Sequence, residues 1–130
     1  MDSGAIRRRL ALGAAVLAAS GALALTATGT AQAASAGGCA GREVRTLPFR
    51  TGVTHVYRNN EYICAVTVAK HPGSAQTMSV SVQARGSRPA IDKGRYKHHA
   101  GPVIVHAGHR CVWIKGAVGR YSVSSGWILC

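Results

Sequence analysis

Beyond about residue 40 the chain alternates apolar and polar side chains in short runs, and nowhere does it hold the spacing of an amphipathic helix. Turn residues separate the runs. Residues 43–49 form a first strand candidate, interrupted by Pro48 and therefore placed at a sheet edge. Gly52 turns the chain into residues 53–58, and Asn59-Asn60-Glu61 supplies the chemistry of a tight hairpin turn. Residues 62–70 are the strongest central strand, with Cys64, Val66 and Val68 on one face and Ala65, Thr67 and Ala69 on the other. After His71-Pro72-Gly73-Ser74, Met78, Val80, Val82 and Ala84 alternate with Ser79, Ser81, Gln83 and Arg85, as in a strand with one solvated face.

The next segment reads as broken. A short strand is expected at Ala90-Ile91, a turn at Asp92-Lys93-Gly94, and a further strand over residues 95–99. Residues 103–106, 111–115 and 121–123 follow, then a closing run from Trp127 to Cys130. The pattern predicts an all-β fold, a small antiparallel β-sandwich or barrel of about seven or eight short strands.

Residues 1–33 stand apart. Arg7, Arg8 and Arg9 precede an uncharged stretch rich in Ala and Leu, and Ala31-Gln32-Ala33 has the small-residue spacing of a signal-peptide cleavage site. Ala34-Ser35-Ala36 offers a second site, so cleavage is expected after Ala33 or Ala36. These paired sites favour an exported protein over a retained membrane anchor, and residues 34–130 are read as a single domain with no transmembrane segment.

Removing the leader changes the charge balance. It holds Arg7, Arg8, Arg9 and Asp2, so the 16 basic and 4 acidic side chains of the whole chain become 13 and 3, a net charge of +10. A domain of this size hides only about two-thirds of its unfolded surface, and disulfides are the usual supplement in an exported chain. Cys39, Cys64, Cys111 and Cys130 permit three pairings. The pairing Cys39–Cys64 with Cys111–Cys130 is favoured, and spacing alone leaves the other two open.

Arg85, Arg88, Lys93, Arg95 and Lys97, continuing into His98 and His99, form a basic tract against the single acid Asp92. This tract is the candidate anion-binding element, and anionic polymers such as those of a cell wall are the expected partners. Specific nucleic-acid recognition is not expected, because Tyr96 is the tract's only stacking platform. Protonated histidines would strengthen anion binding in acid. His98, His99, His106, His109 and Cys111 crowd together in a way that suggests zinc, yet a bridged Cys111 offers no thiolate and adjacent strand residues point apart. They are read as surface histidines, and neither a metal nor another cofactor is expected.

The mature chain has three carboxylates, Glu43, Glu61 and Asp92, none in the context of a paired-acid site or a catalytic triad, and it lacks a nucleophile elbow. No catalytic residue is assigned and the protein is expected not to be an enzyme. Trp113 and Trp127 are expected to fill the core beside the bridge at Cys111.

Ala100-Gly101-Pro102-Val103, Cys111-Val112-Trp113, Tyr121-Ser122 with an aromatic before the last cysteine, Tyr62 to Thr67, Met78 to Ala84, and Asp92-x-Gly94 followed by Tyr96 occur in a telling order. Together they resemble the spore-associated protein A family of Streptomyces and related actinomycetes, which adds anionic spore-surface polymers to the expected partners. The order and spacing of the four cysteines around them carry the likeness, which covers residues 39–130. The resemblance implies a small, exported, disulfide-bonded surface protein without established catalytic residues. The chain departs from it in its histidine and arginine load and in Ile128-Leu129, where more polar residues are expected. The expected function is therefore that of a secreted, non-enzymatic, monomeric protein retained by charge at a cell or spore surface. A cationic antimicrobial effector and a protease inhibitor are the alternatives.

Overall fold

A computed structural model describes residues 38–130 as eight antiparallel strands in two four-stranded sheets. The predicted leader and both cleavage positions lie outside the described residues. The strands are β1 (Arg42–Phe49), β2 (Gly52–Asn59), β3 (Tyr62–Ala69), β4 (Gln76–Ala84), β5 (Ala90–Tyr96), β6 (His99–His106), β7 (Val112–Val118) and β8 (Tyr121–Ile128). The first sheet has the order β1-β2-β3-β6 and the second β5-β4-β7-β8. The alternation predicted an all-β sandwich or barrel, and the fold is the all-β, two-sheet one.

Period-two alternation explains the layering. In β4, Met78, Val80, Val82 and Ala84 are buried while Ser79, Ser81 and Gln83 are only partly so. In β7, Val112, Ile114 and Val118 are buried with no accessible surface. They meet Val56, Ile63, Ala65, Ala100 and Val103 from the first sheet in one core of mostly small aliphatic side chains. Each Val, Ile or Met among them contributes about 1.5–3 kcal/mol when fully removed from water, and the alanines less.

One polar pair sits inside this core. Thr54 on β2 and Thr67 on β3 are completely buried, and their hydroxyls hydrogen-bond to each other at 2.8 Å. Gly116 of β7 faces them from the opposite sheet. A Cβ there would stand 1.8 Å from Thr54 Oγ1 and 2.6 Å from Thr67 Oγ1. The missing side chain lets the second sheet close over a hydroxyl pair that satisfies itself.

The disulfides pair as favoured, Cys39–Cys64 and Cys111–Cys130. The first joins the arm preceding β1 to the outer side of β3, where Cys39, Cys64, Tyr57 and Val66 form a second small buried cluster. The second links the residues just before β7 and just after β8, closing the open end of that hairpin. On the chain-entropy model, loops of 25 and 19 residues each contribute about 3 kcal/mol. Two disulfides place the fold in an oxidising environment.

One expectation is corrected. Asp92-Lys93-Gly94 is not a turn, and residues 90–96 form the single strand β5, paired with β4 from Gln76↔Tyr96 to Val82↔Ala90. The reason lies in one side of the strand. Asp92, Gly94 and Tyr96 share a face, and the Tyr96 ring lies over Gly94, where a Cβ would come within 3.1 Å of it. The phenol reaches across to donate to Asp92 Oδ1. Asp92 Oδ2 accepts the backbone N–H of Gly101 at 2.8 Å, which fastens edge strand β5 to edge strand β6. A glycine that looks like a turn residue is the space that this tyrosine occupies.

Candidate functional site

Continuity of β5 decides where the basic tract goes. Lys93 and Arg95 are two residues apart in a strand, so both project from the outer face of the second sheet. Register puts Lys93 beside Ser79 and Arg95 beside Thr77 on β4. Arg95 spends one guanidinium N–H on the Ala75 carbonyl at 3.0 Å, which steadies it on the surface. Arg85 follows β4 directly and stands at the far corner of the same face, its guanidinium carbon 4.8 Å from the centre of the Trp127 ring. Arg88 lies exposed in the β4–β5 turn and Lys97 in the β5–β6 turn. Of the five predicted residues, the fold brings Arg85, Lys93 and Arg95 to one face and leaves Arg88 and Lys97 in the turns at the ends of β5.

Lys115 was not singled out from the sequence. It is exposed on β7, between Ser81 of β4 and Ser124 of β8, on the same outer face. Its signal was available in the alternation of residues 112–118: with Val112, Ile114 and Val118 inward, Trp113, Lys115 and Ala117 must face out.

The tryptophans require a second correction. Trp113 and Trp127 do not fill the core. Both are partly exposed on the outer face of the second sheet, where their rings meet edge to face at 5.3 Å and 90°. Trp113 does share parity with Cys111, but that parity is the solvent side. Trp127 arrives there through a β-bulge in β8. Two steps along β7, from Trp113 to Lys115, match three along β8, from Trp127 to Ser124. The extra residue reverses the alternation, turning Trp127 out and Ile128 in. Gly126 takes φ +72° at the bulge, a conformation that suits glycine. Ser125 Oγ fills the interrupted ladder by accepting the Ile114 N–H at 2.9 Å. The Trp113 indole N–H donates to Ser124 Oγ at 2.7 Å, fixing the ring.

The outer face of the second sheet therefore carries Lys93, Arg95, Lys115 and Arg85, an aromatic pair, and a field of Thr77, Ser79, Ser81, Ser122 and Ser124. No side-chain carboxylate of residues 38–130 lies on it. Asp92 faces β6, Glu43 is on β1, and Glu61 is in the β2–β3 turn. Behind the corner, Arg110 donates to the carbonyls of Ala107, His106 and Arg85 and to Ser87 Oγ, so this cation braces the connection before β7.

The outer side of the first sheet differs. Glu43 Oε2 lies 2.6 Å from His55 Nδ1 and accepts from the Thr46 hydroxyl, and Glu61 Oε1 lies 2.8 Å from His106 Nε2. Burial pushes the Glu43 carboxyl up, but the hydrogen bonds from Thr46 and His55 and the charge of His55 outweigh it and hold the group below its ordinary value. The hydrogen bond from His106, and then its charge, lower Glu61 in the same way. His106 and Tyr62 also meet edge on at 5.2 Å. The suggested histidine cluster is dispersed: His99 and His106 stand at opposite ends of β6, His98 is in the preceding turn, and Cys111 is bridged. Among the described residues, no group of three or more His, Cys, Asp or Glu side chains converges on a point that could hold a metal ion.

In comparisons with protein-family models, curated proteins and solved structures, nothing matches this chain.

Proposed function

We propose that this is an exported, non-enzymatic β-sandwich protein held at a cell or spore surface by anionic polymers that bind the outer face of its second sheet. The observation that carries this reading is the segregation of charge. Lys93, Arg95, Lys115 and Arg85 share one face from which the three side-chain carboxylates of residues 38–130 are absent. Cations on a shared face without internal counter-charges attract a polyanion and release its counterions on contact. Among the described residues no enclosed pocket interrupts the face, which suits a chain polymer better than a small molecule. The two disulfides agree with an extracellular place of work. The likeness to spore-associated proteins supports the surface location.

The test is retention on isolated cell walls and on a soluble polyanion across a salt series. Binding should weaken steeply as salt rises. The triple variant Lys93→Ser, Arg95→Ser, Lys115→Ser should lower the slope of log K against log salt by about 2, since each cation contributes roughly 0.7–0.9. Retention that ignores both salt and these substitutions would overturn the proposal.

A further inference from the structure

Charge alone does not explain why a tryptophan pair is carried to the surface by a bulge. From its position we infer that the Trp113–Trp127 corner is a sugar-ring subsite, and that the polymer bound on this face is an acidic polysaccharide built of pyranose rings. This inference rests on the anion-binding reading above and narrows it to one chemistry.

Three observations converge on the corner. First, both rings are partly exposed on the outer face. The bulge at Ser125 and Gly126 is what brings Trp127 opposite Trp113. Second, Trp113 is held from behind by its bond to Ser124 and from the side by the edge-to-face contact, so its orientation is fixed before any ligand arrives. Third, the cations are placed around the aromatic pair. The Arg85 guanidinium lies over Trp127, and Lys115 follows Trp113 by two residues on the same strand face, about 7 Å away. No carboxylate among residues 38–130 pairs with either cation.

The C–H side of a pyranose is apolar and lies against an indole, while its ring hydroxyls need hydrogen-bonding partners. Ser81 and Ser124 flank Lys115 in one row and supply them. A carboxylate or phosphate on the same or the next ring would meet Arg85 or Lys115. Single-stranded nucleic acid fits less well. Successive bases require successive stacking platforms, whereas these two rings meet edge on and form one corner. The remaining cations on this face, Lys93 and Arg95, stand two strands across and at least four residues along from Trp113, about 16 Å away or more, among Ser and Thr.

The experiment measures binding of the oxidised protein to polygalacturonate, an acidic pyranose polymer, to linear polyphosphate, an anion without sugar rings, and to single-stranded DNA. Wild type is compared with Trp127→Ala, Trp113→Ala and the ring-retaining Trp127→Phe. The alanine variants should weaken polygalacturonate binding about five- to tenfold and polyphosphate binding less than about twofold, and Trp127→Phe should recover most of the loss. Equal losses on both polymers, or none on either, would overturn the sugar-ring subsite and leave charge binding standing. Failure of wild type to bind any of the three would overturn both readings. A larger tryptophan-dependent loss on DNA than on polygalacturonate would overturn the inference in favour of nucleic acid. If an alanine variant lacks a cooperative melting transition, wild-type tryptophan emission decides: polygalacturonate should shift it and polyphosphate should not, and the reverse result overturns the inference.

Discussion

On the outside of the first sheet each glutamate has a histidine against it and a disulfide covers the middle strands, while on the outside of the second sheet lysines and arginines stand among serines beside two indoles that meet edge to face. Both surfaces come from antiparallel strands of the same length and pleat. The difference is where the acids fall. Glu43 and Glu61 neutralise part of the first sheet locally, and Asp92 is turned towards β6, where it ties two edge strands together. Removing three carboxylates from one face is enough to give a basic protein a directional field. The net charge of +10 over residues 34–130 bears on solubility, and its segregation is what the proposed binding surface rests on.

The largest effect that separates the two faces should come from the disulfides. Removing either one, as Cys39→Ser with Cys64→Ser or Cys111→Ser with Cys130→Ser, should cost about 3 kcal/mol in denaturant unfolding. Only the second pair closes the hairpin that carries both tryptophans. Polyanion binding, measured below the new melting point, should fall for the second variant and hold for the first. Equal effects on binding would erase the distinction between the faces.

Gly116→Ala addresses the layer between them. Its Cβ would overlap the Thr54 hydroxyl, so the sheets must separate or the threonine pair must break. The expected cost is about 1–3 kcal/mol, read as a lower melting temperature. In combination with Thr54→Ser, which keeps the hydroxyl, the loss should persist. Combined with Thr54→Ala, part of it should return.

Gly126→Ala tests the bulge, with an expected cost of about 1 kcal/mol because a side chain is strained at φ +72°. The near-ultraviolet circular dichroism of the coupled indoles should weaken if Trp127 no longer meets Trp113. An unchanged spectrum would show that the bulge does not depend on glycine.

The smallest effect concerns acid. Glu43 and Glu61 both titrate below their ordinary value of 4.5 in the folded protein. A carboxyl lowered by folding stabilises the fold above its unfolded pKa, and that contribution is lost as pH falls through the folded value. Thermal stability should therefore decline below about pH 4.5, and Glu43→Gln should flatten the decline by less than about 1 kcal/mol, since this pair is largely exposed to solvent. Substitution on the first sheet should leave polyanion affinity at neutral pH unchanged.

These contrasts were unequally legible in the sequence. The alternation in residues 76–84 was enough to place that strand and its inward face, because hydrophobic side chains separate cleanly by parity, whereas residues 62–70 read as a central strand with apolar side chains on both faces and no sign of which face meets the other sheet. Residues 90–96 misled because Asp-Lys-Gly has the local chemistry of a turn, and only the ring of Tyr96 over Gly94 explains a strand there. The basic tract was visible as composition, but its division between one face and two turns depended on that strand being continuous. Lys115 was legible from parity alone. Trp127 was not, since a bulge inserts one residue and inverts every assignment beyond it, and nothing in a two-residue period announces where that happens.

The most direct measurement is a two-dimensional amide and indole NMR titration of the oxidised protein with polygalacturonate oligomers at moderate salt. Shifts should concentrate on Lys93, Arg95 and Lys115, on the Trp113 and Trp127 indole N–H groups, and on their serine neighbours in β4 and β8. Shifts centred instead on Tyr57, Val66 and Ile104 of the first sheet, or confined to the turns holding Arg88 and Lys97, would contradict it.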